Sequence, residues 1–160
     1  MRQRRPKMTL ETLFSRYPAE KEYLVEALRD YMAEKDDHSA TEEEIIRFAK
    51  HFGVTESKVC NVVSFYTYLS AEPKGKFVVR VCGDVPCYVN GSEAVLKTVE
   101  AKLGIHPGEV TPDGRFSLET TPCLGHCDHS PCLRINDVTH HDLTPDKIRA
   151  ILAQCEGAKP

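Results

Sequence analysis

No run of apolar residues in this 160-residue chain approaches the eighteen or so that a membrane-spanning helix requires, so no segment reads as crossing a bilayer. The amino-terminal MRQRRPKMTL is basic but lacks the apolar stretch of a secretory signal, and Arg4-Arg5 lacks the hydrophobic follow-on of an export address. There is no G-x-G-x-x-G and no phosphate-loop motif, so the chain offers no nucleotide site of its own. There is also no C-x-x-C, which argues against a thioredoxin-type dithiol. An excess of positive charge is missing too: the net charge is −3 and the basic cluster is confined to the amino-terminal tail, which argues against nucleic acid as a partner. Repeats and low-complexity segments are absent.

What is present is the composition of a water-soluble globular protein, 41% hydrophobic and 28% charged, with enough length to bury a core. Seven cysteines is an odd number, and with no export signal a reducing cytoplasm is the expected setting. Clustered cysteines in that setting point to metal binding or redox chemistry rather than to a disulfide framework.

The first seventy residues read as helices. Leu24, Ala27, Leu28, Tyr31 and Met32 recur at three- and four-residue spacing within PAEKEYLVEALRDYMAEK. Thr41-Glu42-Glu43-Glu44 is a capping-box start for a helix carrying Ile45, Phe48, Ala49 and Phe52, and Gly53 is its stop. A further helix from about Thr55 carries Val59, Val62 and Val63, with Cys60 expected as a small core residue. The character changes at Glu72-Pro73-Lys74-Gly75, which sets an expected boundary between residues 1–72 and 73–160.

Beyond it, KFVVRVCG reads as a strand, Ser92 as the cap of SEAVLKTVEAKLG, and Asp113-Gly114 as a turn into the strand RFSLET. CLRIND reads as another strand, and Thr144-Pro145 starts a last helix with Ile148, Ile151 and Leu152. Cys155 near its end is expected to be structural. A helical segment followed by β-α-β-β-α predicts an α/β sandwich of thioredoxin size.

Four cysteines fall in loops at strand ends: Cys82 and Cys87 as C-x4-C, then Cys123 and Cys127 as C-x3-C. A two-iron, two-sulfide cluster needs four thiolates, two per iron, set wider apart than the corners of one zinc ion. Gly83 and Gly125 would let backbone approach a sulfur-rich core. Zinc on Cys123, His126, Cys127 and His129 or Cys132 remains a rival, with crowded ligands at irregular spacing. A Rieske centre is disfavoured because the C-x-x-H from Cys123 to His126 precedes Cys127-Asp128-His129. Inert buried cysteines fit poorly with polar loops rich in Gly and Pro. His126, His129, His140 and His141 read as solvated loop histidines, and Asp84 and Asp128 would lower the potential of a nearby cluster if they do not simply face water.

The runs VCGDVPCYVNGSEAVLKTVEAKLGI, TPDGRFSLETTPCLGHC and VVSFYTYLSAEPKGK closely resemble the small two-iron ferredoxin subunit of respiratory complex I, NADH:quinone oxidoreductase. The resemblance covers nearly the whole chain. It implies a thioredoxin-like [2Fe-2S] ferredoxin domain behind an amino-terminal helical region, with one cluster on Cys82, Cys87, Cys123 and Cys127. It further implies single-electron exchange near the FMN of a flavin-carrying, NADH-binding partner subunit. The chain would then be part of an oxidoreductase without a complete active site, reaching the membrane only through the hydrophilic arm of the complex. Soluble NAD-linked hydrogenases and formate dehydrogenases use the same kind of subunit, and the isolated chain could form a homodimer. Phe65, Tyr66 and Tyr68 are the expected aromatic contacts to the flavin subunit. Two departures stand beside the second pair: Ser130 where the family usually has Gly or Ala before the proline, and Cys132 where an apolar residue is common.

Overall fold

A computed structural model describes residues 9–157, so the basic tail lies outside the described residues. The chain divides into two compact units, one running to Lys74 and the other beginning at Gly75.

The first unit is helical. Helices α1 (Leu10–Arg16), α2 (Leu24–Glu34), α3 (Glu42–Phe52) and α4 (Glu56–Phe65) follow in order, with a single 3-10 turn at Lys21–Tyr23 ahead of α2. Helix α1 was not separately foreseen, although Thr9 caps it by accepting from the Thr12 N–H and Leu10 and Leu13 turn into the core. The capping box on α3 is complete: Thr41 Oγ1 accepts from Glu44 N and the Glu44 carboxylate accepts from Thr41 N. Gly53 closes α3 in the left-handed conformation, at φ 62°. One apolar core joins Leu13, Leu28, Met32, Phe48 and Val59, all buried, with Phe48 in edge or stacked ring contact with Phe14, Tyr31 and Phe52. Cys60 is not in that core. Helix α4 buries Val59 and Val63, and Cys60 stands off that stripe in solvent.

The second unit is a four-stranded sheet, β1 (Phe77–Cys82), β2 (Phe116–Thr121), β3 (Leu133–Ile135) and β4 (Val138–His140), in the order β2-β1-β3-β4. Strands β1 and β2 are parallel, and the β1–β3 and β3–β4 pairs are antiparallel. Helices α6 (Ser92–Leu103) and α7 (Pro145–Gly157) pack with Val79, Val81, Leu118, Leu133 and Ile135 into one core through Val95, Val99, Ile148 and Leu152. Cys155 lies half-buried against it.

Several local expectations shift here. Gly91, at φ 92°, is the cap of α6, and Ser92 is its first, buried residue. A five-residue helix α5 (Val85–Val89) precedes it, capped by Asp84, whose carboxylate accepts from Val85 N at 2.8 Å. Strand β4 was missed because it is only three residues long and follows a tight turn in which Asn136 adopts φ 50°. His140, expected as a surface residue, is part of β4 and half-buried. Gly75 tolerates no side chain, since a Cβ there would sit 2.3 Å from the Phe116 carbonyl carbon.

Candidate iron–sulfur site

The site sits at the carboxyl ends of the two parallel strands, where open α/β sheets place their ligands. Cys82 is the last residue of β1, and Cys123 lies two residues beyond its parallel neighbour β2. The ladder continues one step past the strands through Gly83 N to Thr121 O at 3.0 Å, holding the two loops side by side.

Side-chain alternation decides which sulfurs meet. Val79 and Val81 face the helices, so Cys82 points to the opposite face of the sheet. On β3, Leu133 and Ile135 face the same core, and Cys132 just ahead of them shares the opposite face with Cys82. The two are adjacent across the antiparallel pair, with Cys82 N donating to Cys132 O at 3.2 Å. Helix α5 brings in Cys87. The sulfurs of Cys82, Cys87 and Cys132 all lie within 4.8 Å of one another, and all three residues are buried, with Leu124 packed against them.

Cys123 and Cys127 form a second pair, 3.2 Å apart at Sγ and exposed. Gly125, at φ 83°, folds the loop between them so that its N–H donates to Cys123 Sγ at 3.4 Å. Gly83 is different: a Cβ there would meet no protein atom within 4 Å, so close packing within the chain does not demand a glycine. Ser130, the departure noted above, has a clear role. It accepts from Asn90 Nδ2 at 2.7 Å, and Asn90 also donates to Pro86 O at 2.9 Å, which ties the Cys87 helix to the loop that carries Cys127.

Electrostatics argues against Cys87, Cys127 and Cys132 as nucleophiles. Burial and the neighbouring Cys82 sulfur push the Cys87 pKa up, partly offset by hydrogen bonds from Cys132. Burial and Cys87 do the same to Cys132. The hydrogen bond with Cys123, then desolvation, lifts Cys127 to about 11. A nucleophilic cysteine needs the reverse shift. Crowded thiols give up their protons when a metal supplies the compensating charge.

Two thiolates at tetrahedral corners of one metal, with a metal–sulfur bond of about 2.3 Å, sit roughly 3.8 Å apart. The Cys123–Cys127 distance of 3.2 Å is near that value, and the sulfurs of Cys82 and Cys87 lie within 4.8 Å of each other. An all-sulfur donor set in two groups therefore fits a two-iron cluster.

The zinc alternative is not assembled. Among the described residues, Cys123 and Cys127 join no group of three metal-ligating atoms within 4.8 Å, and the histidines turn elsewhere. His129 Nδ1 and His141 Nδ1 both approach Asp142 Oδ2, at 3.3 and 2.8 Å, in an exposed cluster where the His126 and His129 rings stack or tilt on His141. Asp128 is exposed on the same turn.

Cys132 stands at the head of the strand read from CLRIND, as expected, and also beside Cys82 and Cys87, which the spacing of the cysteines does not show. The alternation of Cys82 and Cys132 with core-facing Val81 and Leu133 was the signal that could have found it.

A model of the thioredoxin-like [2Fe-2S] ferredoxin matches residues 10–156. The chain is 34% identical over 150 residues to an NADH-quinone oxidoreductase subunit of Rhizobium meliloti, covering 94% of this chain and 88% of that one. It is 41% identical over 100 residues to an NADH-quinone oxidoreductase subunit of Pseudomonas aeruginosa, covering 62% of this chain and 60% of that one. It is 39% identical over 106 residues to the NADP-reducing hydrogenase subunit HndA of Solidesulfovibrio fructosivorans, covering 66% and 62%. In fold it is similar to a chain in the crystal structure of an air-oxidised NAD+-reducing [NiFe]-hydrogenase, with a TM-score of 0.74 and 22% identity, over 86% of this chain and 23% of that one.

Proposed function

The chain belongs to the thioredoxin-like [2Fe-2S] ferredoxin family, and from that premise we propose that it is the electron-transfer subunit of an NADH:quinone oxidoreductase, with Cys82, Cys87, Cys123 and Cys127 as the ligands of one [2Fe-2S] cluster. The observation that supports this best is the meeting of a buried sulfur group and an exposed sulfur pair at the ends of two parallel strands. When bound, such a cluster supplies one-electron chemistry at a potential tuned by hydrogen bonding and burial.

The chain's own residues give the site two unlike sides. Cys82 and Cys87 anchor it in the protein, and Leu124 keeps water from that side. Cys123 and Cys127 face outward, where an electron partner can come close. The Gly125 N–H steadies Cys123 Sγ, a hydrogen bond of the kind that raises the potential. NADH and FMN belong on a flavin-carrying partner subunit, and the chain meets the membrane only through the assembled complex in the cytoplasm. A soluble NAD(P)-linked hydrogenase is the second reading, favoured by the likeness to HndA.

Anaerobic purification with affinity capture of the associated subunits tests both levels. Two irons and two acid-labile sulfides per chain, bleached by dithionite to an S = 1/2 signal, are expected. Stoichiometric zinc in colourless protein would overturn the cluster assignment. A flavoprotein with membrane subunits distinguishes the quinone reductase from a hydrogenase, which would bring a nickel–iron or iron-only catalytic subunit instead.

A further inference from the structure

The buried side of the site holds one thiol more than one iron takes from the protein. Cys82, Cys87 and Cys132 place three sulfurs within 4.8 Å of one another, all three residues buried. Cys87 and Cys132 are 3.6 Å apart at Sγ, close to the spacing of two thiolates on one tetrahedral metal. Neither can drift far. Cys132 is fixed to β1 by its carbonyl on Cys82 N, and α5 is tied by Asn90 to Ser130, two residues before Cys132. Among the described residues, Cys123 and Cys127 join no comparable group of three.

We propose that Cys132 is an alternate ligand for the iron assigned to Cys82 and Cys87, able to take the position of Cys87. This rests on the cluster assignment above. The exchange balances without electron transfer: a bond forms from iron to Cys132 Sγ, the bond to Cys87 Sγ breaks, and the proton of Cys132 passes to Cys87. Where Cys87 is absent, that proton goes to solvent. Cys87 is the ligand replaced because it rides on a five-residue helix, whereas Cys82 is held in the central strand between two neighbours.

The full-length protein tests this as Cys87→Ala, Cys132→Ala and the double variant, purified anaerobically, with iron and sulfide per chain, visible spectrum and EPR g-values as readouts. Cys132→Ala is expected to keep the wild-type spectrum. Cys87→Ala keeps a two-iron cluster with shifted g-values, and the double variant loses at least tenfold in iron per chain. Cys87→Ser, which fills the same space, is expected to show the same all-sulfur spectrum as Cys87→Ala, so the result does not depend on whether the alanine variant folds. A folded but cluster-free Cys87→Ala protein, or an oxygen-ligated spectrum in Cys87→Ser, would overturn the proposal while leaving the four-cysteine assignment intact. A wild-type chain that binds no two-iron cluster would sink the assignment itself, and the reserve ligand with it.

Discussion

The two units of this protein each bury a core of their own, but they use cysteine in opposite ways. The helical unit holds one cysteine, Cys60, exposed on α4, and its interior is built of rings and aliphatic side chains around Phe48. The α/β unit turns its helix-facing strand positions to an apolar core and gathers sulfur on the other face at one end of the sheet, where Cys82 closes β1 and Cys132 precedes β3. The lesson is one of separation. Val79, Val81, Leu133 and their helix partners form one apolar cluster in the second unit, and the buried sulfurs form a separate, smaller one.

Removing a thiol from the exposed pair should break this comparison most visibly. Cys127→Ala is expected to abolish the two-iron spectrum, because among the described residues Cys123 belongs to no group of three ligand atoms within 4.8 Å of one another. The helical unit should be untouched, which thermal unfolding followed by far-UV circular dichroism can check. A cluster that survives in this variant would show that the exposed side also has a replacement ligand.

The largest effect on stability should come from the other unit. Phe48 is fully buried and meets Phe14, Tyr31 and Phe52 ring to ring. Phe48→Ala should cost about 3–5 kcal/mol, by lost transfer energy and the cavity left behind. Denaturant unfolding measures it. The iron content and visible spectrum of the protein that remains folded should stay those of the wild type, whereas loss of the cluster in folded protein would mean that the units are not separable.

Much of this organisation was legible in the sequence, and the failures have physical causes. Period-3.6 patterning located α2 and α3 with their buried residues, and turn chemistry at Asp113-Gly114 located β2. The two cysteine pairs stood out by spacing, and the structure brings each pair's loop to the same edge. Elements held by tertiary pairing rather than by local pattern were not legible: β4 has three residues and α5 has five. Cys60 was misread because one helical step of about 100° separates it from Val59, enough to move it from core to solvent. Cys132, expected at the start of the next strand, lies one residue ahead of β3, and its grouping with Cys82 and Cys87 was not legible because it depends on the register of β3 against β1.

A smaller effect is expected at the docking surface, where the comparison can be sharpened. Phe65 and Tyr68 of the helical unit are exposed, while Tyr66, the third aromatic expected to make contact, is half-buried against its own core. The α/β unit exposes Tyr88, Val85 and Val89 on α5, beside Cys87. If the helical unit carries the contact to the flavin subunit, Phe65→Ala with Tyr68→Ala should weaken binding at least tenfold, or about 1.4 kcal/mol, with Tyr66→Ala acting on stability instead. Titration against the purified partner measures this. Undiminished binding by that pair, with loss in Tyr88→Ala, would move the docking surface to the sulfur-bearing unit.

The smallest effect concerns pH and belongs to the helical unit alone. Burial would raise the pKa of Glu44, but hydrogen bonds from Lys35 Nζ at 2.8 Å, Tyr31 Oη at 2.5 Å and Thr41 N at 2.8 Å outweigh it and hold the carboxyl below its usual range. The same carboxylate thus caps α3 and joins α2 to it. A carboxyl with a depressed folded-state pKa contributes stability that is complete above its unfolded value, near 4.5, and lost as the pH falls through the folded value. The helical unit should therefore weaken below about pH 4.5, by an amount on the order of 1 kcal/mol, the size of a single cap. Glu44→Gln removes the charge and should flatten that part of the pH dependence while leaving the unit folded at neutral pH. Unfolding followed by circular dichroism at pH 3 to 7 gives both curves. An unchanged acid slope in Glu44→Gln would assign the acid sensitivity of this unit to other carboxylates, with Asp30 next in line because burial raises its pKa but hydrogen bonds from Tyr17 and Arg29 lower it further.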